Sequence, residues 1–494
     1  VLIINPTGGL SVLTAIYYNF SHIDAVEINP IVVDILKNRY DEFTGELYND
    51  ERVNVYVEEG RSYVRRSKES YDLIEIPLTD SFGASSTGVY SLSENYIFTT
   101  EAFEDYYTHL SEDGLLSITR WLLPPPREDI RLLSLAISAL NNQGVSEPEN
   151  HIAIIRSWGT FTFLMSKSEF NKEEIREIKE FCKKRRFDIV YYPGVEISEV
   201  NIYNKFSEPI YYEAVRRILS EGSSFYEEYL FDVSPVNDDK PYFFHFFRWK
   251  KIVPLYKSMG EKWQPFIEGG YLIPVVFFQA LILSIFFILL PLYKLKRTEN
   301  KSNKLNTTKK SNFKKWRILA YFISLGLGYM LIEIALIQRF ILFLGHPIYA
   351  FSVVVFSLLL FSGIGSYFSD RIEMRYLVPV IFSISIVVFL YTLFLSDFFY
   401  HLLGKRILVR FLSSISVLMI PGVLMGIPFP RGISLLKEIE QPLIPWAWSA
   451  NACASVLGSV LSIMLAMSFG FSTVLFFAGT IYIVAALTIS RILS

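Results

Sequence analysis

Two cysteines in 494 residues, Cys182 and Cys453, are too few and too far apart for a disulfide framework or a metal-ligand spacing. Basic charge is not in excess: 47 Lys and Arg against 49 Asp and Glu leave a net charge of −2. A protein that grips a phosphate backbone carries a clear cationic surplus, so nucleic acid is not an expected partner. The start has none of the charged and apolar layout of a signal peptide. It opens on a buried-strand pattern, VLIIN, with Val1 where a Met would stand, which predicts a truncated sequence preceded by further spans or a capping element.

What remains divides in two. Hydrophobic residues make up 51% and charged residues 19% of the whole, but most charge lies before about residue 265 and most uninterrupted apolar sequence after it. The length exceeds what one core usually supports. We therefore expect a soluble domain over 1–250 and a membrane domain over 265–494.

From Val1 to Trp121, apolar β-rich runs alternate with helical patterns: VLIIN, a helix near 10–20, IDAVEIN, a helix near 30–40, VNVYVEEG, a short helix near 61–67, YDLIEIPL, a helix near 100–110, and GLLSITRW. Strands alternating with crossover helices predict an α/β doubly wound, Rossmann-like parallel sheet, which binds ligands at the carboxyl ends of its strands. Residues 128–247 continue that domain with helices EDIRLLSLAISAL and KEEIREIKEFCKK and strands HIAIIRS, TFTFLMS and DIVYYP.

Four strand ends carry the candidate chemistry. After the first strand, Asn5-Pro6-Thr7-Gly8-Gly9-Leu10 has the small residues that let a helix amino terminus approach a ligand, although Gly8 and Gly9 also suit an ordinary turn. The second strand ends at Glu27, about twenty residues past that turn, where a carboxylate can accept the ribose hydroxyls of an adenosyl cofactor. The third ends at Glu58-Glu59-Gly60-Arg61. There Glu59 is the choice for the adenine amino group and Gly60 clears space, the alternative being that both acids cap the next helix. The fourth leads into a polar loop, 79–88, whose one carboxylate, Asp80, is placed to act as general base or to hold a cationic amine; an Asx turn is the alternative.

The run VLIINPTGG, VEINPIVVDILKNRY, VEEGRSYVRR, YDLIEIPLTDS and GVYSLSENYIFTTEAFEDYYTHLSEDGLLSITRW resembles the spermidine synthase-like branch of the class I methyltransferase fold. With DDKPYFFHFF, YMLIEIALIQRFILFLGHPIYA and WAWSANACASVLGSVL, the chain is similar to bacterial membrane proteins that fuse such a domain to transmembrane helices. The resemblance places the cofactor motif on Gly8 and Gly9, the ribose carboxylate on Glu27, the adenine-side acid on Glu59 and the catalytic aspartate on Asp80. It implies S-adenosylmethionine or decarboxylated S-adenosylmethionine as cofactor, and aminopropyl or methyl transfer to a small-molecule amine or other acceptor. Tyr90, Ser91 and Tyr96 become candidate substrate-pocket residues, with core packing as their alternative. Asn5, Pro6 and Thr7 depart from the family's glycine-rich loop, and its amino-terminal β-hairpin is absent here.

Seven apolar segments are long enough to cross a bilayer: 271–293, 318–343, 348–368, 376–395, 407–427, 446–468 and 471–490. The weakest are 407–427, broken by Pro421, and 446–468, which carries Asn451. Glu333, Gln338 and Arg339 are expensive in an apolar span and read as functional or as interhelical glue; Gly422 and Gly426 have close-packing spacing. The stretch 294–317 carries ten basic residues and reads as a loop on the cytoplasmic side. One span before it would then put the soluble domain outside, away from a cytosolic cofactor. The expectation adopted is a bacterial inner-membrane protein with a cytoplasmic domain. The competing function is a polyamine or solute transporter whose soluble domain senses a nucleoside without catalysis.

Overall fold

The computed structural model describes residues 1–80, 89–259, 273–287 and 309–493. The chain forms two compact units, Val1–Gly270 and Tyr271–Ser494.

The first unit is built on one eight-stranded sheet in the order β3-β2-β1-β4-β5-β7-β6-β8. Strands β1 (Leu2–Ile4), β2 (Ile23–Glu27), β3 (Val53–Val57), β4 (Tyr71–Ile76) and β5 (Leu110–Trp121) run parallel. Between them lie α1 (Leu10–Tyr17), α2 (Pro30–Asp34), α3 (Gly60–Arg66) and α4 (Thr100–His109). Beyond residue 121 the pairing changes. Strand β7 (Thr160–Ser166) is antiparallel to both β5 and β6 (Ile152–Arg156), and β8 (Asp188–Tyr191) is antiparallel to β6. The cause is the three residues joining β6 to β7, enough for a hairpin but not for the crossover of about a dozen that a parallel partner needs. The sheet is therefore a mixed, methyltransferase-type doubly wound sheet, with its switch point where β1 lies between β2 and β4.

Alternate residues of the central strands supply two cores. Leu2, Ile4, Val26, Ile74 and Ile76 face one side with α4 and α5 (Glu128–Asn142). Val1, Ile3, Ile23 and Ala25 face the other with Val12 and Ala15 of α1. Both faces are covered, so β1 reads as an uninterrupted apolar run.

The second unit is helical. Among the described residues six helices are long and apolar enough to cross a membrane, and they include α6 (Lys309–Leu344), α7 (Pro347–Ser369), α8 (Leu377–Leu402), α9 (Ile407–Gly426), α10 (Ile444–Phe469) and α11 (Phe471–Leu493). Of the seventh expected span, the described part is the apolar helix Ile273–Phe287. The rest of that segment, and 294–308 of the basic stretch, lie outside the described residues.

Pro421 does not end α9, because the backbone acceptor it strands has another donor. Proline lacks the N–H that would reach the carbonyl of Val417, and the Tyr391 hydroxyl donates to that carbonyl instead. Asn451 is spent on interhelical bonding, its Nδ2 donating to the Phe322 carbonyl at 3.1 Å. Gly422 and Gly426 face α7 so closely that a Cβ on either would strike Phe361 or the Ser362 carbonyl. Arg339 is buried and donates to the hydroxyls of Ser472 at 2.7 Å and Ser396 at 3.2 Å. Glu333 is half-buried on α6.

Candidate functional site

The turn after β1 reverses the chain through three left-handed residues, Asn5, Thr7 and Gly9, with φ of 57°, 47° and 82°. Gly9 is required twice over: its φ is unfavourable for a side chain, and a Cβ there would lie 2.5 Å from Leu47 Cδ2. Gly8 faces open space, with nothing within 4 Å of where a Cβ would stand. This conformation turns the Thr7 N–H toward Glu27, whose Oε2 accepts it at 3.3 Å while Oε1 accepts the Asn29 N–H at 2.9 Å. Glu27 is only 4% exposed, yet each of its oxygens has made one hydrogen bond and keeps acceptor capacity for a hydroxyl. Tyr48, beneath Gly9, has its phenol pushed up by burial and by the charge of Glu27.

At the end of β3 the two acids separate. Glu58 pairs with Arg66 at 2.5 Å. Glu59 caps α3, accepting the Arg61 and Ser62 N–H groups at 3.1 and 2.7 Å. The capping alternative thus describes what the Glu59 side chain does in the structure, with one bond on each oxygen. Gly60 lets α3 start against β1, since a Cβ there would strike Ile4.

Arg61, unassigned by sequence reasoning, organises this edge. It is 1% exposed and donates to Asp105 at 3.1 Å, to Asp238, to Thr99 Oγ1 at 3.3 Å and to the Tyr96 carbonyl at 3.5 Å. The buried guanidinium joins α3, α4 and the segment DDKPYFFHFF in one network. Glu101 belongs to it, accepting the Asp238 N–H at 3.1 Å; burial and the neighbouring Asp238 push its carboxyl up to about 7.

Asp80 follows β4 and pairs with Arg120 near the end of β5, whose Nε also donates to Glu128 at 3.0 Å. Trp121 Nε1 donates to the Asp80 carbonyl at 2.8 Å, so two successive residues of β5 hold Asp80 by its side chain and its backbone. Burial acts to lower the Arg120 guanidinium, but Glu128 and Asp80 outweigh it and hold it above its ordinary value. Residues 81–88 of the same loop lie outside the described residues. Where the chain is described again, Tyr90 packs on Phe244 with ring centroids 5.5 Å apart, and Ser91 and Tyr96 are buried. Glu94 takes a hydrogen bond from the Tyr242 hydroxyl at 3.2 Å, and burial pushes its carboxyl up.

Glu27, Glu59 and Asp80 therefore stand at the carboxyl ends of β2, β3 and β4, around the turn that contains Gly8 and Gly9. Sequence reasoning missed Arg61, Arg120, Glu128 and Glu75. The signal for two of them was a charge inside an apolar strand, Arg120 in GLLSITRW and Glu75 in YDLIEIPL.

The doubly wound sheet, with β1 between β2 and β4 and an antiparallel far edge, is that of the class I methyltransferase fold. Residues 1–120 match the family described as "Spermine/spermidine synthase domain". The polyamine aminopropyltransferase of Clostridium botulinum is 37% identical over 100 residues, which cover 20% of this chain and 32% of that protein. The one from Streptococcus uberis is 32% identical over 109 residues, or 22% and 35% of the two chains. The chain thus spans about a third of the length of the curated relatives it matches. Among solved structures, the spermidine synthase of Thermotoga maritima is 19% identical with a TM-score of 0.26, covering 41% of this chain and 64% of that one.

Proposed function

We propose that this chain is a membrane-anchored transferase that uses S-adenosylmethionine or its decarboxylated form and passes an aminopropyl or methyl group to a small-molecule amine or other acceptor. The observation that carries the reading is Glu27: a buried carboxylate at the end of β2, oriented by the Thr7 and Asn29 N–H groups and still able to accept two ribose hydroxyls. The open turn at Gly8 leaves room for an adenosyl group beside it. Glu59, although it caps α3, keeps acceptor capacity on both oxygens for an adenine amino group.

The bound cofactor supplies an electrophilic carbon next to its sulfonium. The protein's part is positioning and one proton: an amine attacks only when neutral, and Asp80 takes the proton released as the new N–C bond forms and the C–S bond breaks. Arg120 fixes the Asp80 carboxylate at the strand edge where the acceptor would sit. Tyr90, Ser91 and Tyr96 would shape the acceptor side through their backbone and packing. We place the protein in the bacterial inner membrane with this unit in the cytoplasm, where the cofactor is made.

The test is mass-spectrometric product analysis of membranes carrying the full chain, supplied with labelled S-adenosylmethionine or its decarboxylated form and candidate amines. A labelled methyl or aminopropyl product supports the reading; no labelled product with either cofactor sinks it. A second reading, solute movement by the helical unit, rests on Glu333, for which no hydrogen bond is recorded among the described residues. Uptake into proteoliposomes that is unchanged by Glu333→Gln would count against it.

A further inference from the structure

Although the whole chain is balanced in charge, the end of its first unit is not. From Lys240 to Met259 the sequence has five basic residues, Lys240, Arg248, Lys250, Lys251 and Lys257, and no Asp or Glu. Three of these cations are held from within the unit: Lys240 and Arg248 lie 3.8 and 3.4 Å from the Asp232 carboxylate, and Lys251 Nζ donates to the Glu228 carbonyl at 2.8 Å. Lys250 and Lys257 are exposed, and no ion pair with either is recorded among the described residues.

The same stretch presents apolar surface. Leu255, 4% exposed, fixes the helix Ile252–Met259 to the core of the first unit. On the outward side stand Trp249, Val253 and Tyr256, at the i, i+4 and i+7 spacing of one helical stripe, with exposures of 53%, 63% and 56%. Lys250 and Lys257 stand next to the two ends of that stripe in sequence. Aromatic and β-branched side chains on one side with lysines beside them are the composition of a helix that lies in a membrane interface. Thirteen residues separate Met259 from Ile273, where the described apolar helix of the second unit starts, so the chain tethers the stripe within about 45 Å of that segment. A second copy of this chain is a poorer occupant. A twofold contact sets the same patch on both copies against itself, and here that brings two cationic stripes together.

We propose that the outward side of residues 249–257 is a docking surface for an anionic lipid bilayer, with Trp249, Val253 and Tyr256 entering the headgroup layer and Lys250 and Lys257 meeting anionic headgroups. The inference goes beyond the transferase reading and stands whether or not the strand ends bind an adenosyl ligand. The apolar stripe supplies burial that any lipid would satisfy, and the lysines supply the preference for negative charge.

The experiment is photo-cross-linking of the full chain in nanodiscs of mixed phosphatidylcholine and phosphatidylglycerol, with Val253→p-benzoylphenylalanine and mass-spectrometric identification of the adducts. Leu359→p-benzoylphenylalanine, at a position 59% exposed on α7, is the positive control for lipid labelling. The expected result is lipid adducts at residue 253 enriched in phosphatidylglycerol over its share of the bilayer. A lysine near an anionic surface is worth about fivefold in that preference, so Lys250→Gln with Lys257→Gln should lower the enrichment by about fivefold or more. Raised salt should produce the same loss with both lysines in place, a comparison that stands even if the double variant does not fold. No lipid adduct at residue 253 while residue 359 labels lipid overturns the proposal. So do adducts to a second copy of the chain, or lipid adducts that follow bilayer composition and do not respond to salt.

Discussion

Asp80→Asn separates catalysis from architecture because of how Arg120 is held. The guanidinium is 2% exposed and is shared between Asp80 and Glu128, itself 2% exposed. Removing the charge of Asp80 leaves the Arg120–Glu128 pair at 3.0 Å, so no buried charge loses its last partner, and the Asn carbonyl still accepts from Arg120. With the Asp80 side chain 20% exposed, the stability cost should be about 1 kcal/mol or less. The loss of a proton acceptor should instead lower turnover by roughly two to four orders of magnitude, or about 3–5 kcal/mol of barrier.

The comparison variant is Arg120→Met, which strips buried Glu128 of its hydrogen-bonded cation, leaving only the field of Arg127, and should cost about 3–5 kcal/mol. The assay pairs single-turnover product analysis with thermal unfolding of the full chain in nanodiscs. Asp80→Asn should melt close to the unaltered protein and bind methylthioadenosine within a few-fold, yet turn over at a hundredth or less. Turnover above about a tenth of normal, or a melting shift as large as that of Arg120→Met, would refute the division between base and scaffold.

Glu27→Gln should behave in the opposite sense, weakening methylthioadenosine by about ten- to a hundredfold in calorimetry, because an acceptor that is charged and oriented by two N–H groups becomes neutral. Gly9→Ala should destabilise the first unit by about 1–3 kcal/mol in denaturant titration, from its φ of 82° and the contact with Leu47. Glu101, with its carboxyl at about 7 in the folded chain, contributes stability that is full below the unfolded value of about 4.5 and is lost as pH rises through 7. Glu101→Gln should flatten that decline, stabilising the protein by about 1–3 kcal/mol at pH near 8 and little at pH near 4, as read from unfolding midpoints. Tyr391→Phe should cost about 1 kcal/mol in unfolding of the helical unit, and less in a Pro421→Ala background, where residue 421 regains the N–H that bonds the Val417 carbonyl.

The sheet was legible as far as β5 because each parallel strand there is followed by a crossover helix, and that alternation leaves a periodic apolar signal. The antiparallel end was less so: Ser157-Trp158-Gly159 between β6 and β7 carried the hairpin, but the strands alone look the same in either direction. Glu27 could be placed from its spacing because the distance from turn to second strand end is set by one helix. Arg61 could not, since its partners Thr99, Asp105 and Asp238 lie 38, 44 and 177 residues away in sequence.

Acids at a site divide by what neutralises them. Arg61 and Arg120 each bridge two carboxylates from different elements, and removing either arginine would strip a buried acid of a cation at a cost of several kcal/mol, so both arginines act as rivets that fix the strand ends and the helix starts. Glu27 and Glu75 have no such cation among the described residues: one is satisfied by two backbone N–H groups and the other by a single hydroxyl. Backbone and hydroxyl donors orient a carboxylate without cancelling its charge, which leaves that charge available to a ligand. On the proposed reading Glu27 is the acid left to a ligand, because the protein orients it through backbone N–H groups without cancelling its charge.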